Sequence, residues 1–305
     1  MTTTEGIVVT GVARSFGSVH AVRDITLEAR PGSVTALIGP NGSGKTTLML
    51  MLASLLRPDS GSISVDGLDP VVDPMAVRAR LGWMPDLLGS WSVLTVRSAL
   101  ETTGRLYRMS YAQSVSRAAE LIDLVGLGAL AGQQSRVLSR GQKQKLSLAR
   151  ALVHDPQVLL LDEPASGLDP AARVELQELV RRLAAEGKTV LISSHVLAEL
   201  EEMADAAVYL EAGSSVSAER IAKTRLTARE WRIRSSDPEA LRTALGSMRV
   251  VDDRGDLLVA VESEVAAATL LTKLVTAGVA ISAFAPAVGD LEHTFLDLNR
   301  EGSAS

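Results

Sequence analysis

The chain has 305 residues, a formal net charge of -5, and 46% hydrophobic, 22% charged and 3% aromatic residues, with no cysteine. That apolar fraction can bury the core of one large domain or of a large and a small one, while disulfides, thiolate metal sites and cysteine nucleophiles are excluded. Basic and acidic side chains balance along the whole chain, so no block tracks a phosphate backbone and no nucleic-acid partner is expected.

The N-terminus, MTTTEGIVV, lacks a basic region followed by an apolar core, and no signal peptide is expected. Residues 6–38 read as strands: HAVRDITLEA alternates at period two, Pro31-Gly32 turns, and SVTALIG is a short buried run. After Gly39 the pattern becomes a helix with apolar Leu48, Leu50, Met51 and Leu55, closed by Pro58-Asp59-Ser60-Gly61 before the strand SISVDG. From about Thr95 to Ala131 the period is helical, with Tyr107, Ala118, Leu121, Ile122 and Val125 as candidates for burial. There follow a helix from about Arg140, the strand QVLLLD, a helix from Pro170 to about Glu186, the strand TVLISS, a short helix and the strand AVYLEA. Strands alternating with helices predict a mostly parallel sheet with crossover connections.

A boundary is expected near residues 212–228, where Ala212-Gly213-Ser214-Ser215 forms a loop. Beyond it WRIRSS, DPEALRTALGSM, MRVVDD, LLVAVE, a further helix and VAISAFA give strand-helix-strand-strand-helix-strand, the order of a small α+β sandwich. The weakly polar stretch Val265–Gly289 contains Lys273 and Gly278 and divides into a helical and an extended half. A buried helix and strand are therefore expected there rather than a membrane span, which needs about 20 uninterrupted apolar residues.

The chemistry concentrates in a few motifs. Gly39-Pro40-Asn41-Gly42-Ser43-Gly44-Lys45-Thr46, followed by Thr47, matches G-x-x-x-x-G-K-[ST] between a strand and a helix. Such glycines turn backbone N–H groups toward phosphate, the helix N-terminus adds positive potential, Lys45 reaches the outer phosphates and Thr46 can bind magnesium. A nucleoside triphosphate site is expected. VLLLDEP ends an apolar strand in Asp162 and Glu163, one carboxylate for a magnesium shell and one to orient or deprotonate water. Leu138-Ser139-Arg140-Gly141-Gln142 opens a helix; it reads either as a simple N-cap at Ser139 or as a second anion site. The four histidines, His20, His154, His195 and His293, show no H-x-x-x-H spacing, which leaves little for a zinc centre.

GPNGSGKTT, LSRGQ, LLLDEP, SGLDP (Ser166–Pro170) and SSH (Ser193–His195), in this order, resemble the nucleotide-binding subunit of an ABC transporter over residues 6 to about 222. The resemblance implies an α/β fold: a P-loop ABC-type domain over 1–222, with a parallel sheet core, N-terminal antiparallel strands and a helical insertion at about 87–150, then a small α+β domain over 223–305. It implies ATP and Mg2+ as ligands and a head-to-tail homodimer with ATP sandwiched between subunits. It assigns Lys45 and Thr46 to phosphate and magnesium, Asp162 to the metal, and Glu163 to water activation. Ser139, Gly141 and Gln142 are assigned to the opposing γ-phosphate, His195 to contact with the γ-phosphate and to holding the transition-state geometry, and Asp169 to a link between the two sites.

Phe16 stands where the family has an adenine-stacking aromatic, usually tyrosine; it reads as that platform or as a core residue. Asp86 stands where the family usually has glutamine; it reads as an added metal ligand or as a tolerated hinge substitution. The tail GDLEHTFLDLNRE resembles that of single-domain ABC ATPases of the daunorubicin and doxorubicin exporter type, and its helix reads as a cap packing Leu291, Phe295 and Leu298 inward or as a dimer contact. The expected function is ATP hydrolysis at the cytoplasmic face of the cell membrane, driving export through a separate integral membrane permease. The alternative is a soluble ABC-type ATPase acting on ribosomes or DNA.

Overall fold

The computed structural model describes residues 5–86, 91–224, 228–253 and 255–303, and the chain divides into two units, Met1–Val216 and Ser217–Ser305. In the first unit β1 (Ile7–Phe16) and β2 (Val19–Ala29) pair as an antiparallel hairpin, and β3 (Val34–Ile38) runs through the glycine loop into α1 (Lys45–Leu52). β4 (Ser60–Val65) returns to pair with β1, and α2 (Pro74–Arg80) leads to β5 (Leu81–Met84). The helices α3 (Val96–Leu106), α4 (Tyr111–Leu124) and α5 (Arg140–Ala151) come next. β6 (Val158–Asp162), α6 (Pro170–Ala185), β7 (Thr189–Ser193), α7 (Leu197–Glu201), β8 (Ala206–Glu211) and β9 (Ser214–Ser215) complete the unit.

The nine strands lie in the order β4-β1-β2-β9-β8-β3-β7-β6-β5. From β8 to β5 every neighbour is parallel, and β3, β6 and β7 are buried at all five positions. Continuous apolar strands of this kind are stable only with both faces covered, which the crossover helices provide. The N-terminal strands alternate buried and exposed positions instead, as expected for a sheet with one wet face.

Helix starts are written in capping residues. Ser110 with Gln113, and Ser139 with Gln142, form reciprocal capping boxes on α4 and α5, while Asp169 caps α6 ahead of Pro170. The long helical pattern after Thr95 is broken in two because Arg108 adopts a left-handed φ of 63°. Two expectations are corrected, Leu55 as part of the first helix and Tyr107 as a buried residue. Leu55 falls beyond the end of α1, after Ser54 turns left-handed, and is 54% exposed. Tyr107, at the end of α3, is 39% exposed and covers a neighbour with one ring face, stacking on His154 at 3.7 Å and 3°.

In the second unit α8 (Ala218–Thr224) precedes β10 (Arg229–Ser235), α9 (Pro238–Leu245), β11 (Val250–Asp253), β12 (Asp256–Val261), α10 (Glu264–Thr276), β13 (Ile281–Pro286) and α11 (Asp290–Ser303). The strand order is β11-β12-β10-β13, antiparallel throughout, which is the ferredoxin-like split βαβ arrangement. Val265–Gly289 forms α10 and β13, and no described helix is long and apolar enough to cross a membrane. Ile233, Leu257 and Val259 pack with Leu241 and Leu274 of the two helices. Arg232 and Arg234 bond to Asp253 and Asp256. On α11 the buried positions are Thr294, Asp297 and Leu298, whereas Leu291 and Phe295 are only partly covered. The inward stripe thus includes polar residues, and His293 pairs with Asp297 at 3.6 Å.

Burial holds the His154 pKa down from 6.5 to about 4; the Leu81 carbonyl, which accepts from its Nε2 at 3.1 Å, and Asp155 act the other way, and Lys188 and Arg117 reinforce the fall. The unfolded chain therefore binds a proton that the folded chain refuses between those two pH values. Stability from this group is complete above pH 6.5 and is lost as pH falls toward 4. We expect urea titrations to show a shallower decline over this interval for His154→Phe, which keeps a ring against Tyr107 but cannot titrate; an identical decline would exclude His154 as its source.

Candidate functional site

Four parallel strands, β3, β5, β6 and β7, end on the same edge of the sheet, the place where open α/β sheets present ligand-binding groups. The glycine loop leaves β3 there, Asp86 follows β5, Asp162 ends β6 with Glu163 next, and Ser193 ends β7 with His195 two residues beyond. Residues far apart in the chain are gathered around one open cleft of about 660 Å³. Asn41, Gly42, Gly44, Lys45, Thr46, Thr47, Asp86, Asp162, Glu163 and His195 all line it.

Two glycines in the loop are irreplaceable on steric grounds. At Gly39 an added Cβ would stand 2.5 Å from the Leu210 carbonyl oxygen. Gly44 has φ +99°, and its Cβ would stand 2.8 Å from the Ala21 carbonyl oxygen. Lys45 donates to the carbonyls of Gly39 (2.6 Å) and Pro40 (3.1 Å). Its ammonium pKa is lowered by burial, with the charges of Glu163 and Asp162 opposing that fall. Ser43 is buried, and its hydroxyl has no hydrogen-bond partner among the described residues.

Asp162 is 4% exposed and accepts from the Ser193 hydroxyl at 2.6 Å, with Thr46 Oγ1 3.5 Å from its other oxygen. Burial raises its pKa; the Ser193 hydrogen bond opposes the rise, the neighbouring Glu163 and Asp86 charges add to it, and Lys45 offsets part of it. Glu163 adopts a left-handed φ of 52°, a strained conformation for this residue type. Its N–H donates to the Ser193 carbonyl (3.2 Å) and lies 3.3 Å from the Ser193 hydroxyl. Its carboxylate is 2.6 Å from His195 Nδ1, and because a carboxylate only accepts, Nδ1 carries the proton. The His195 side chain is 66% exposed, against 16% for Glu163.

The oxygens of Thr46, Asp162 and Asp86 are the donor type that magnesium takes. Among the described residues there is no cluster of three or more histidine, cysteine, aspartate or glutamate side chains able to hold a metal. These donors therefore fit a partial shell, of the kind that substrate phosphates complete.

Other expected residues lie outside the lining. Phe16 is 47% exposed, which removes the core reading, and its ring carries the Arg14 guanidinium at 4.9 Å; Val19, His20 and Ala21 line the cleft. Ser139, Gly141 and Gln142 are also outside it. The Gln142 N–H donates to Ser139 Oγ (3.3 Å) and the Ser139 N–H to Gln142 Oε1 (2.9 Å). Asp169 Oδ1 accepts from the Ala172 N–H at 2.9 Å, a local cap. Sequence reasoning missed Gln144, which is 1% exposed and donates through Nε2 to the carbonyls of Glu163 and Ser166, both at 3.2 Å. The available signal was an amide on the apolar stripe that Leu148 and Ala151 continue.

The family described as ABC transporter matches residues 22–166. The chain is 36% identical over 199 residues to the ABC transporter ATP-binding protein NatA of Bacillus subtilis (strain 168), covering 65% of this chain and 81% of NatA. It is 37% identical over 211 residues to the daunorubicin resistance ATP-binding protein DrrA3 of Streptomyces coeruleorubidus, covering 69% of this chain and 67% of that protein. Among solved structures, the dimeric post-hydrolysis state of the ATP-binding cassette MJ0796 bound to ADP and Pi superposes with a TM-score of 0.64, at 24% identity, over 69% of this chain and 97% of that one. At that identity the likeness is one of fold.

Removing the Ser193 hydroxyl deletes the contact that restrains the upward shift of Asp162. The Asp162 carboxyl should titrate at higher pH in Ser193→Ala than in the parent chain by carboxylate-resolved NMR, and an unmoved titration would reject this electrostatic account.

Proposed function

The chain belongs to the ABC transporter ATP-binding family, and from that premise we propose that it binds and hydrolyses MgATP as a head-to-tail homodimer to drive export through a separate membrane permease. The observation that carries the ATPase reading is the convergence of Lys45, Thr46, Asp162, Glu163 and His195 on one cleft. Loop N–H groups and the α1 N-terminus take the phosphates. Lys45 exchanges the carbonyls of Gly39 and Pro40 for outer phosphate oxygens. Thr46 and Asp162 hold magnesium, with Asp86 as an added oxygen ligand, and the ion neutralises charge on the phosphates when bound.

Glu163 accepts the proton of the attacking water while His195 fixes that carboxylate through Nδ1 and turns its exposed edge to the γ-phosphate. Ser139, Gly141 and Gln142, exposed or half-exposed at the start of α5 and outside their own cleft, suit a γ-phosphate held by the partner subunit. Phe16 supplies an exposed aromatic face for adenine at the edge of the site. The names of NatA and DrrA3 favour transport over a role on ribosomes or DNA, and DrrA3 makes a hydrophobic, drug-like cargo the first class to test. Docking on a permease would hold the chain at the cytoplasmic face of the cell membrane.

Glu163→Gln should lower turnover by about 100-fold or more while retaining ATP binding and enriching an ATP-bound dimer in size-exclusion chromatography. Undiminished hydrolysis rejects Glu163 as the base. Asp86→Asn should shift the magnesium titration of hydrolysis to higher concentration; an unchanged titration removes Asp86 from the metal shell and leaves it a hinge substitution.

A further inference from the structure

Glu163 is gripped by its backbone from two sides. Its N–H is tied to Ser193 at the end of β7. Its carbonyl accepts from Gln144 Nε2 at 3.2 Å, and the same nitrogen serves the Ser166 carbonyl at 3.2 Å. Gln144 thus closes the turn 163–166 from the side of α5. Two other residues in the first turn of α5 reach the same loop. Arg140 donates to Ser166 Oγ at 2.6 Å, and Gly141 packs so closely that an added Cβ would stand 3.2 Å from Leu168 Cδ2 and 3.4 Å from the Gly167 carbonyl oxygen.

We propose that Gln144 is a positioning residue for hydrolysis: it locks the left-handed conformation of Glu163 and makes the base follow the Ser139–Gln142 segment of its own subunit. The inference rests on the reading of Glu163 as the base. The direction of the Glu163 side chain is set by a strained backbone conformation, φ 52°, so a small relaxation of the turn re-aims the carboxylate that must face the attacking water.

A purely structural account fits Gln144 poorly. Its Oε1 is buried and has no hydrogen-bond partner among the described residues, a cost to the folded state that an apolar residue of similar shape would avoid. The Glu163 carbonyl also keeps a second donor, the Ser166 N–H at 3.1 Å, when the amide is removed. What the amide adds is the bridge between two carbonyls three residues apart. Through it, a displacement of the α5 N-terminus by the partner subunit's nucleotide would reach the base of this subunit without passing through the nucleotide between them.

The test compares the full chain with Gln144→Met, Lys145→Met and Glu163→Gln for ATP hydrolysis, ATP affinity and thermal midpoint. Lys145 is the adjacent residue on α5 and pairs with Glu175 at 2.8 Å, away from the turn, so its variant controls for general perturbation of the helix. Gln144→Met should lose kcat by about 10- to 100-fold while KM and ATP affinity stay within about twofold, with a thermal midpoint no lower than that of Lys145→Met, whose kcat stays at the parent level. Gln144→Glu, which keeps the length of the side chain but sets a carboxylate against two carbonyls, should show the same loss and serves if the methionine variant does not accumulate. Full kcat in Gln144→Met together with abolished turnover in Glu163→Gln overturns the inference and leaves the base assignment standing. A fall in kcat matched by losses of ATP affinity and thermal midpoint also overturns it. Retained turnover in Glu163→Gln rejects the base reading itself.

Discussion

Parallel pairing in register is the constraint on which the site depends. Asp162 of β6 stands opposite Ser193 of β7, and Ser193 stands opposite Leu37 of β3. That alignment lets the Ser193 hydroxyl meet Asp162 while its carbonyl meets the Glu163 N–H. A one-residue slip would reverse the facing of every side chain on a strand. The fully buried β3, β6 and β7 resist slippage because each carries apolar side chains on both faces and is buried at every position.

Burial then sets the charge state of the cleft. Half-buried Lys45 and exposed Arg140 share the space with three carboxylates, Asp86, Asp162 and Glu163. Desolvation moves the Lys45 and Asp162 pKa values toward each other, down and up respectively, and each group is partly restored by the charge of the other. With three acids against two bases, a polyphosphate meets repulsion that Lys45 and Arg140 do not cancel. A divalent cation removes it, so under the proposed function the metal is part of binding as well as of chemistry.

The helices α3 to α5 serve this edge by local means. Reciprocal S-x-x-Q caps satisfy the exposed N-termini of α4 and α5. The cap on α5 keeps Ser139 and Gln142 ordered without drawing them into the cleft of their own chain. Arg140 and Gln144, one turn apart on α5, join the same helix to the loop after Glu163.

Much was legible in local sequence because the physics there is local. G-x-x-x-x-G-K-T between a strand and a helix specifies a phosphate-facing loop, and the alternation of strands and helices specifies a parallel sheet. The order of elements after residue 228 specifies the antiparallel ββ pairing of the small unit. Tertiary structure decided what depends on neighbours distant in the chain. It placed Tyr107 on His154 at the surface, left Phe16 exposed beside Arg14, and ended α1 before Leu55. It brought Asp86 to the cleft that Asp162 shares, and set Gln144 against two carbonyls that no sequence period connects to it. A motif names the groups that can do chemistry, because residue type and spacing fix their reach. Which of them meet, and with what charge, follows only from the packing that buries them together.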